Sequence, residues 1–212
     1  MAAIRSRMAA VPMRPSPSLR HNADGFTALE LLLAVAIAIT VAAIAVPLTS
    51  DALDQIRTGM AARYLEGRIM DARMHAIRRS TSVALRFEAE ADDYRFAEYF
   101  DGNGNGVRSA EISAGIDPEL APRQFLRDQF AGLSFGLPAN IPDIDGALSS
   151  SSRDGVRIGT SRILTLGPDG TATSGTLYLH GRKGQYAVRV LGATGRTRVL
   201  RFDPGAQQWT TR

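Results

Sequence analysis

Hydrophobic and polar positions follow three different rhythms along this chain. Across residues 28–48 the only polar side chains are Glu30 and Thr40. An apolar run of that length makes a helix of about 30 Å, the thickness of a bilayer's hydrocarbon core. It ends at Pro47, which in a helix interior predicts a kink. Beyond it Leu53, Ile56, Met60, Tyr64, Gly67, Met70, Met74 and Ile77 recur at spacings of three and four, with Arg57, Arg63, Glu66, Arg68, Arg73 and Arg78 mostly between them. That spacing predicts an amphipathic helix whose methionine- and leucine-bearing stripe covers a core. One helix over residues 26–79 is expected, weakened locally by Gly59 and Gly67.

After Ser80 the period drops to two. "TSVALRFEAE" and "DYRFAEYFD" read as strands with a hairpin turn at Asp92-Asp93. About thirty breaker-containing residues follow from Asp101, then a short strand candidate in "AGLSFGLP". "SSSS" at 149–152 reads as a connection. The end alternates again in "SRILTLG", "GTLYLHG", "QYAVRVLG" and "RTRVLRFD". The turns "PDG", "GRKG" and "ATG" separate these segments, and each supplies a glycine for positive φ. The fold class expected is α+β, a long N-terminal helix on an antiparallel sheet domain. The segments are 1–25, basic and aperiodic; 26–48, membrane length; 49–80, amphipathic; and 81–212, β-rich.

Composition changes this picture in two places. There is no cysteine among the 212 residues, which excludes disulfides and thiolate metal sites. The net charge of +4 hides a division. Residues 81–150 hold five arginines against twelve acidic residues, a balance of −7, whereas residues 151–212 hold ten basic residues against three aspartates, or +7. A basic C-terminal patch can attract an anionic partner, and an acidic middle would repel one.

A glutamate at membrane depth costs roughly 2.5–3.5 kcal/mol on insertion scales, so Glu30 needs a reason. Basic residues Arg5, Arg7, Arg14 and Arg20 precede Gly25-Phe26-Thr27-Ala28-Leu29-Glu30, and Pro47 follows. This constellation resembles the type IV prepilin signature. "ILTLGPDGTATSGTLYLHGRKGQYAVRVLGATGRTRV" further resembles the C-terminal part of the FimT/GspH family of minor type IV pilins and type II secretion pseudopilins. The resemblance implies cleavage between Gly25 and Phe26 by a prepilin peptidase, N-methylation of Phe26, and assembly roles for Glu30 and Pro47. A cut there leaves a positive amine on Phe26, which the Glu30 carboxylate of a neighbouring subunit would compensate. It also implies a single-pass protein of a bacterial inner membrane with a periplasmic C-terminal domain, partnered by other pilin or pseudopilin subunits. The arginines of the first segment agree with that orientation. The leading expectation is an H-type pseudopilin of type II secretion; the alternative is a FimT-like minor pilin that captures DNA during natural transformation.

Two further motifs carry chemistry. Gly195-Arg196-Thr197-Arg198 matches the GRxR pattern linked to DNA capture in FimT-type pilins. Alternation sets Arg196 and Arg198 on one strand face. Arg189, Arg201, Arg182 and Lys183 are the other candidate phosphate donors. The loop "DGNGNGVRSAE" places Asp101, Asn103 and Asn105 at alternate positions before Gly106, like the first half of a calcium loop. Its second half departs, because Ile112 stands where a bidentate glutamate belongs and Glu111 is one position early. Calcium is thus a candidate cofactor of Asp101, Asn103, Asn105 and Glu111, with Asp117 in reserve, and no other cofactor is expected. His21, His75 and His180 are isolated in sequence, and no HExxH, GxSxG or phosphate-binding loop occurs, so no enzymatic activity is expected.

Overall fold

The computed structural model describes residues 25–148 and 155–211. The basic segment through residue 24, His21 and the serine run at 149–152 therefore lie outside the described residues. The chain divides into two units between Ile44 and Ala45. A single helix, α1 (Ala28–Arg79), contributes to both. In the first unit every described residue is exposed. By length and composition α1 is apolar enough to cross a membrane.

The second unit is β-rich. After α1 come β1 (Val83–Glu90), β2 (Asp93–Phe100), α2 (Ser109–Ala114), β3 (Glu119–Phe125), α3 (Leu126–Gln129), β4 (Ser134–Phe135) and β5 (Val156–Arg157). Then follow β6 (Ile163–Leu166), β7 (Gly175–His180), β8 (Gln185–Leu191), β9 (Arg196–Asp203) and β10 (Gln208–Thr211). One sheet has the order β3-β2-β1-β6; the other runs β10-β9-β8-β7-β4, with β5 also paired to β7. All pairings are antiparallel. The pilin-like α+β architecture expected from the sequence is the one observed.

The helix turns a different face to the core from the one its large side chains suggest. Leu53, Ile56, Met60, Met70, Met74 and Ile77 are exposed, and Tyr64 is half-buried. The buried stripe is Thr58, Ala61, Ala62, Leu65, Ile69, Ala72 and Ala76. It has the same helical period, but its alanines carry little hydropathy. Small side chains let the backbone come close to the sheets, where Leu85, Phe96, Leu164, Tyr186 and Val188 fill the space. Gly59 belongs to this approach, since a Cβ there would stand 3.0 Å from the Tyr186 hydroxyl.

The strand boundaries depart from expectation in informative places. The first hairpin turns at Ala91-Asp92, with Ala91 at φ 53°, and Asp93 already belongs to β2. Strand β3 escapes sequence reading because Pro122 interrupts it; it is an edge strand, where proline is tolerated. Gly170 and Gly195 do supply positive φ, at 85° and 58°. Gly181 and Gly184 of "GRKG" do not. They are needed for clearance, because a Cβ on Gly181 would lie 2.7 Å from the Asp54 carboxylate and one on Gly184 2.5 Å from Thr58 Oγ1.

Candidate functional site

The helix start is organised by Thr27 and Glu30. Glu30 N–H donates to Thr27 Oγ1 at 3.2 Å, and Thr27 N–H donates to Glu30 Oε2 at 3.4 Å. This reciprocal pair is a capping box, in which the side chains satisfy backbone donors that the first turn leaves orphaned. The T-x-x-E signal was present in the sequence, and reading Glu30 as an assembly contact missed it. Phe26, just before the cap, is exposed. In the second unit the helix passes through Pro47, and Ser50 Oγ donates to the Pro47 carbonyl at 2.9 Å.

The basic candidates fall in separate places. Val156, Leu177, Val188 and Val199 pair across β5, β7, β8 and β9 in one core-facing row. The adjacent row, on the opposite face, is Arg157, Thr176, Arg189 and Arg198. Residues directly opposite on neighbouring strands share a face, so three arginines stand in line on the outward side. Arg196, two residues before Arg198, shares that side. Arg196 and Arg198 are exposed, and among the described residues neither side chain has a hydrogen-bond or ion-pair partner. Arg157 pairs with Asp143, and Arg189 Nη1 lies 2.9 Å from Asp145 Oδ1.

Arg201 lies on the core-side face, where its guanidinium donates to Gln55 Oε1 at 2.8 Å. Arg182 and Lys183 occupy the β7–β8 turn. Arg182 donates to Ser50 Oγ at 3.2 Å and pairs with Asp51 at 3.6 Å. That turn sits at Asp54, whereas Gly195, beside Arg196, abuts Arg73. Nineteen residues of helix separate Asp54 from Arg73, about 28 Å. The six basic candidates therefore do not form one cluster, and Arg157 is a member that sequence reading lacked. It sits on a two-residue strand far from the GRxR motif in sequence, so only register could reveal it.

The outward arginine face is covered in part by the loop 137–148. Trp209 Nε1 donates to the Pro142 carbonyl at 2.8 Å, and Ile144 N–H donates to the Tyr178 hydroxyl at 3.2 Å. Ile141 and Ile144 pack on Leu137, Tyr178 and Ala187. Asp143 is buried and accepts the N–H groups of Ala147 and Asp145. Burial pushes its carboxyl up, but the Ala147 N–H and the Arg157 guanidinium outweigh that and hold it below the usual aspartate value.

Part of the acidic middle segment is ion-paired within itself. On the outward face of the first sheet, Arg95 pairs with Glu88 and Glu90 at 3.1 and 3.0 Å, Arg86 with Glu88 at 3.3 Å, and Arg123 with Glu119 at 3.2 Å. On the core side Glu98, 1% exposed, accepts Arg68 at 3.1 Å and contacts His75 Nδ1 at 2.7 Å. His180 faces Ser134 Oγ at 3.0 Å, so the two described histidines are separate.

In the loop after β2, Asp101 turns its carboxylate onto its own backbone. Oδ1 accepts Asn103 and Gly104 N–H at 3.1 and 2.7 Å, and Oδ2 accepts Gly106 N–H at 2.7 Å. Asp117 accepts Gly102 and Arg108 N–H, and Asn105 Nδ2 donates to Glu111 at 2.8 Å. Among the described residues no three His, Cys, Asp or Glu side chains converge as a metal site. Both Asp101 oxygens and Asn103 Oδ1 are engaged in holding the turn, Asn105 joins through its amide nitrogen, and Glu111 Oε2 is buried without a hydrogen-bond partner.

Comparison with known proteins adds little. No family model and no curated protein matches the chain. Among solved structures it is similar to the minor pseudopilin EPSH from the type II secretion system of Vibrio cholerae, at 14% identity and a TM-score of 0.43, covering 68% of this chain and 94% of that one. A likeness so loose decides nothing about function; the architecture itself is a long N-terminal helix with two antiparallel sheets.

Proposed function

We propose that this chain is a minor pilin-like structural subunit, an H-type pseudopilin of a type II secretion pseudopilus, built into a filament from a bacterial inner membrane. The supporting observation is the helix start. Glu30 holds the third helical position, behind an exposed Phe26, and the only other polar residue through Ile44 is Thr40. A cut after Gly25 would put the new amine of Phe26 about one turn from a carboxylate. In an apolar filament core the amine and carboxylate of neighbouring subunits would compensate each other. Other subunits and a prepilin peptidase are the partners this reading requires, with the second unit in the periplasm. The exposed ridge from Leu53 to Ile77 supports further contact with neighbours. The test is co-expression with a prepilin peptidase, followed by intact-mass measurement of the membrane fraction. Loss of residues 1–25 and a single methyl group on Phe26 is expected. Glu30→Ala should still be cut but should fail to co-purify with the other subunits. A chain that remains full-length beside an active peptidase would sink the proposal.

A second reading, capture of DNA, is favoured by one specific observation. The row Arg157, Arg189 and Arg198 faces outward together with Arg196; Glu88, Glu90 and Glu119 of the acidic segment are paired with Arg95 and Arg123 on the other sheet, while Asp143 and Asp145 pair with Arg157 and Arg189 on this face. Such a face would bind phosphate chains without sequence preference and release them as salt rises.

A further inference from the structure

We infer that the outward face of the second sheet is a track for the phosphodiester backbone of a nucleic acid, with Asp145 as an internal counter-anion that the ligand displaces from Arg189. This rests on the second reading above and adds to it a path and a regulatory residue. The path is set by register. Arg157, Thr176, Arg189 and Arg198 occupy consecutive rungs of four strands, so their Cα atoms span about 14 Å at the usual strand spacing. Arginines 189 and 198 stand directly opposite each other, an arrangement that destabilises a sheet unless an anion compensates it. A depression of about 480 Å³ beside Arg157 and Arg189 is lined by these two with Asp145, Ser174, Thr176 and Tyr178. Val190, Leu191 and Ala193 also line it, and beside them it offers the hydroxyl and guanidinium donors that a phosphate takes.

The two aspartates over this face differ in kind. Asp143 is an anchor: its side chain is 9% exposed and holds two backbone N–H groups as well as Arg157. The Asp145 side chain is 72% exposed and forms an ion pair with Arg189. Exposed ion pairs of this kind are weak and exchange readily. Asp145 therefore covers Arg189 in the empty protein and yields it to a stronger, polyvalent anion.

The test uses the full chain in detergent and the fluorescence anisotropy of a labelled single-stranded oligonucleotide, from about 50 to about 200 mM salt. Wild type is compared with Asp145→Asn, Arg198→Ala and Arg201→Ala, each checked by circular dichroism for native fold. Asp145→Asn should tighten binding by about two- to fivefold at low salt, the range an exposed ion pair commands. Arg198→Ala should weaken it and lower its salt dependence, and Arg201→Ala, on the other face, should leave it unchanged. If wild type binds and Arg198→Ala does not, yet Asp145→Asn equals wild type, the counter-anion role is overturned while the DNA reading stands. If no protein binds, Asp145→Asn included, both are overturned. Undiminished binding by Arg198→Ala rejects the track. A poly-glutamate peptide that competes as well as the oligonucleotide would assign the face to an acidic protein segment instead.

Discussion

The carboxylate of Asp54 on α1 accepts the backbone N–H of Gly184, at 2.9 Å, from the turn between β7 and β8. Lys183 and Arg182 N–H join it at 2.7 and 3.1 Å, so one side chain closes three orphaned donors and fixes the helix to the hairpin. Burial raises its pKa, but these N–H groups together outweigh that and leave it below the ordinary 3.8. Asp54→Ala strands all three and should cost about 1–3 kcal/mol in urea unfolding of the full chain in detergent. Asp54→Asn, which keeps an acceptor oxygen, should cost less. Equal stability of Asp54→Ala and wild type would show that the contact does not hold the hairpin.

The identity of the buried helix face makes a contrasting pair. Leu65 is 0% exposed, and Leu65→Ala should destabilise by about 2–5 kcal/mol, through lost burial and the cavity left behind. Met60 is 56% exposed, and Met60→Ala should change stability by no more than about 0.5 kcal/mol. Reversed magnitudes in the same urea titration would return the methionine stripe to the core.

Stability should have an acid limb of definite sign. Asp54, Asp101 and Asp143 all sit below 3.8 in the folded protein. For Asp101, burial pushes upward and the N–H groups of Gly106, Gly104 and Asn103 pull further down. A depressed folded pKa means that below 3.8 the unfolded chain takes up protons first. The contribution is complete above that value and is lost as pH falls through the folded pKa values. Thermal melts should therefore begin to drop below about pH 5. The gap between wild type and Asp54→Ala should narrow over the same interval. A gap that widens toward acid would mean the sign is wrong.

How far the sequence could be read follows from which distances matter. Strands β1, β2, β6, β7, β8 and β9 were legible because alternation is a property of neighbouring residues. Strands β5 and β10 were not, being short, and β3 was hidden by Pro122. At the site, Glu30 stood out as the lone carboxylate in an apolar run, although its local role as the capping partner of Thr27 was overlooked. Arg196 and Arg198 were visible as a motif, whereas Arg157 and Thr176 were not, because strand register joins residues far apart in the chain.

The sequence by itself determined the helical span, its membrane length, the acid in its first turn and the antiparallel strands, all of which rest on periods of two to four residues. Tertiary structure alone decided which of two equally periodic helix faces is buried, and chose the alanine face because close approach favours small side chains. It also decided that "GRKG" wraps a helix aspartate, and that three arginines share one rung line. Those outcomes depend on packing distance and strand register, which no local pattern encodes.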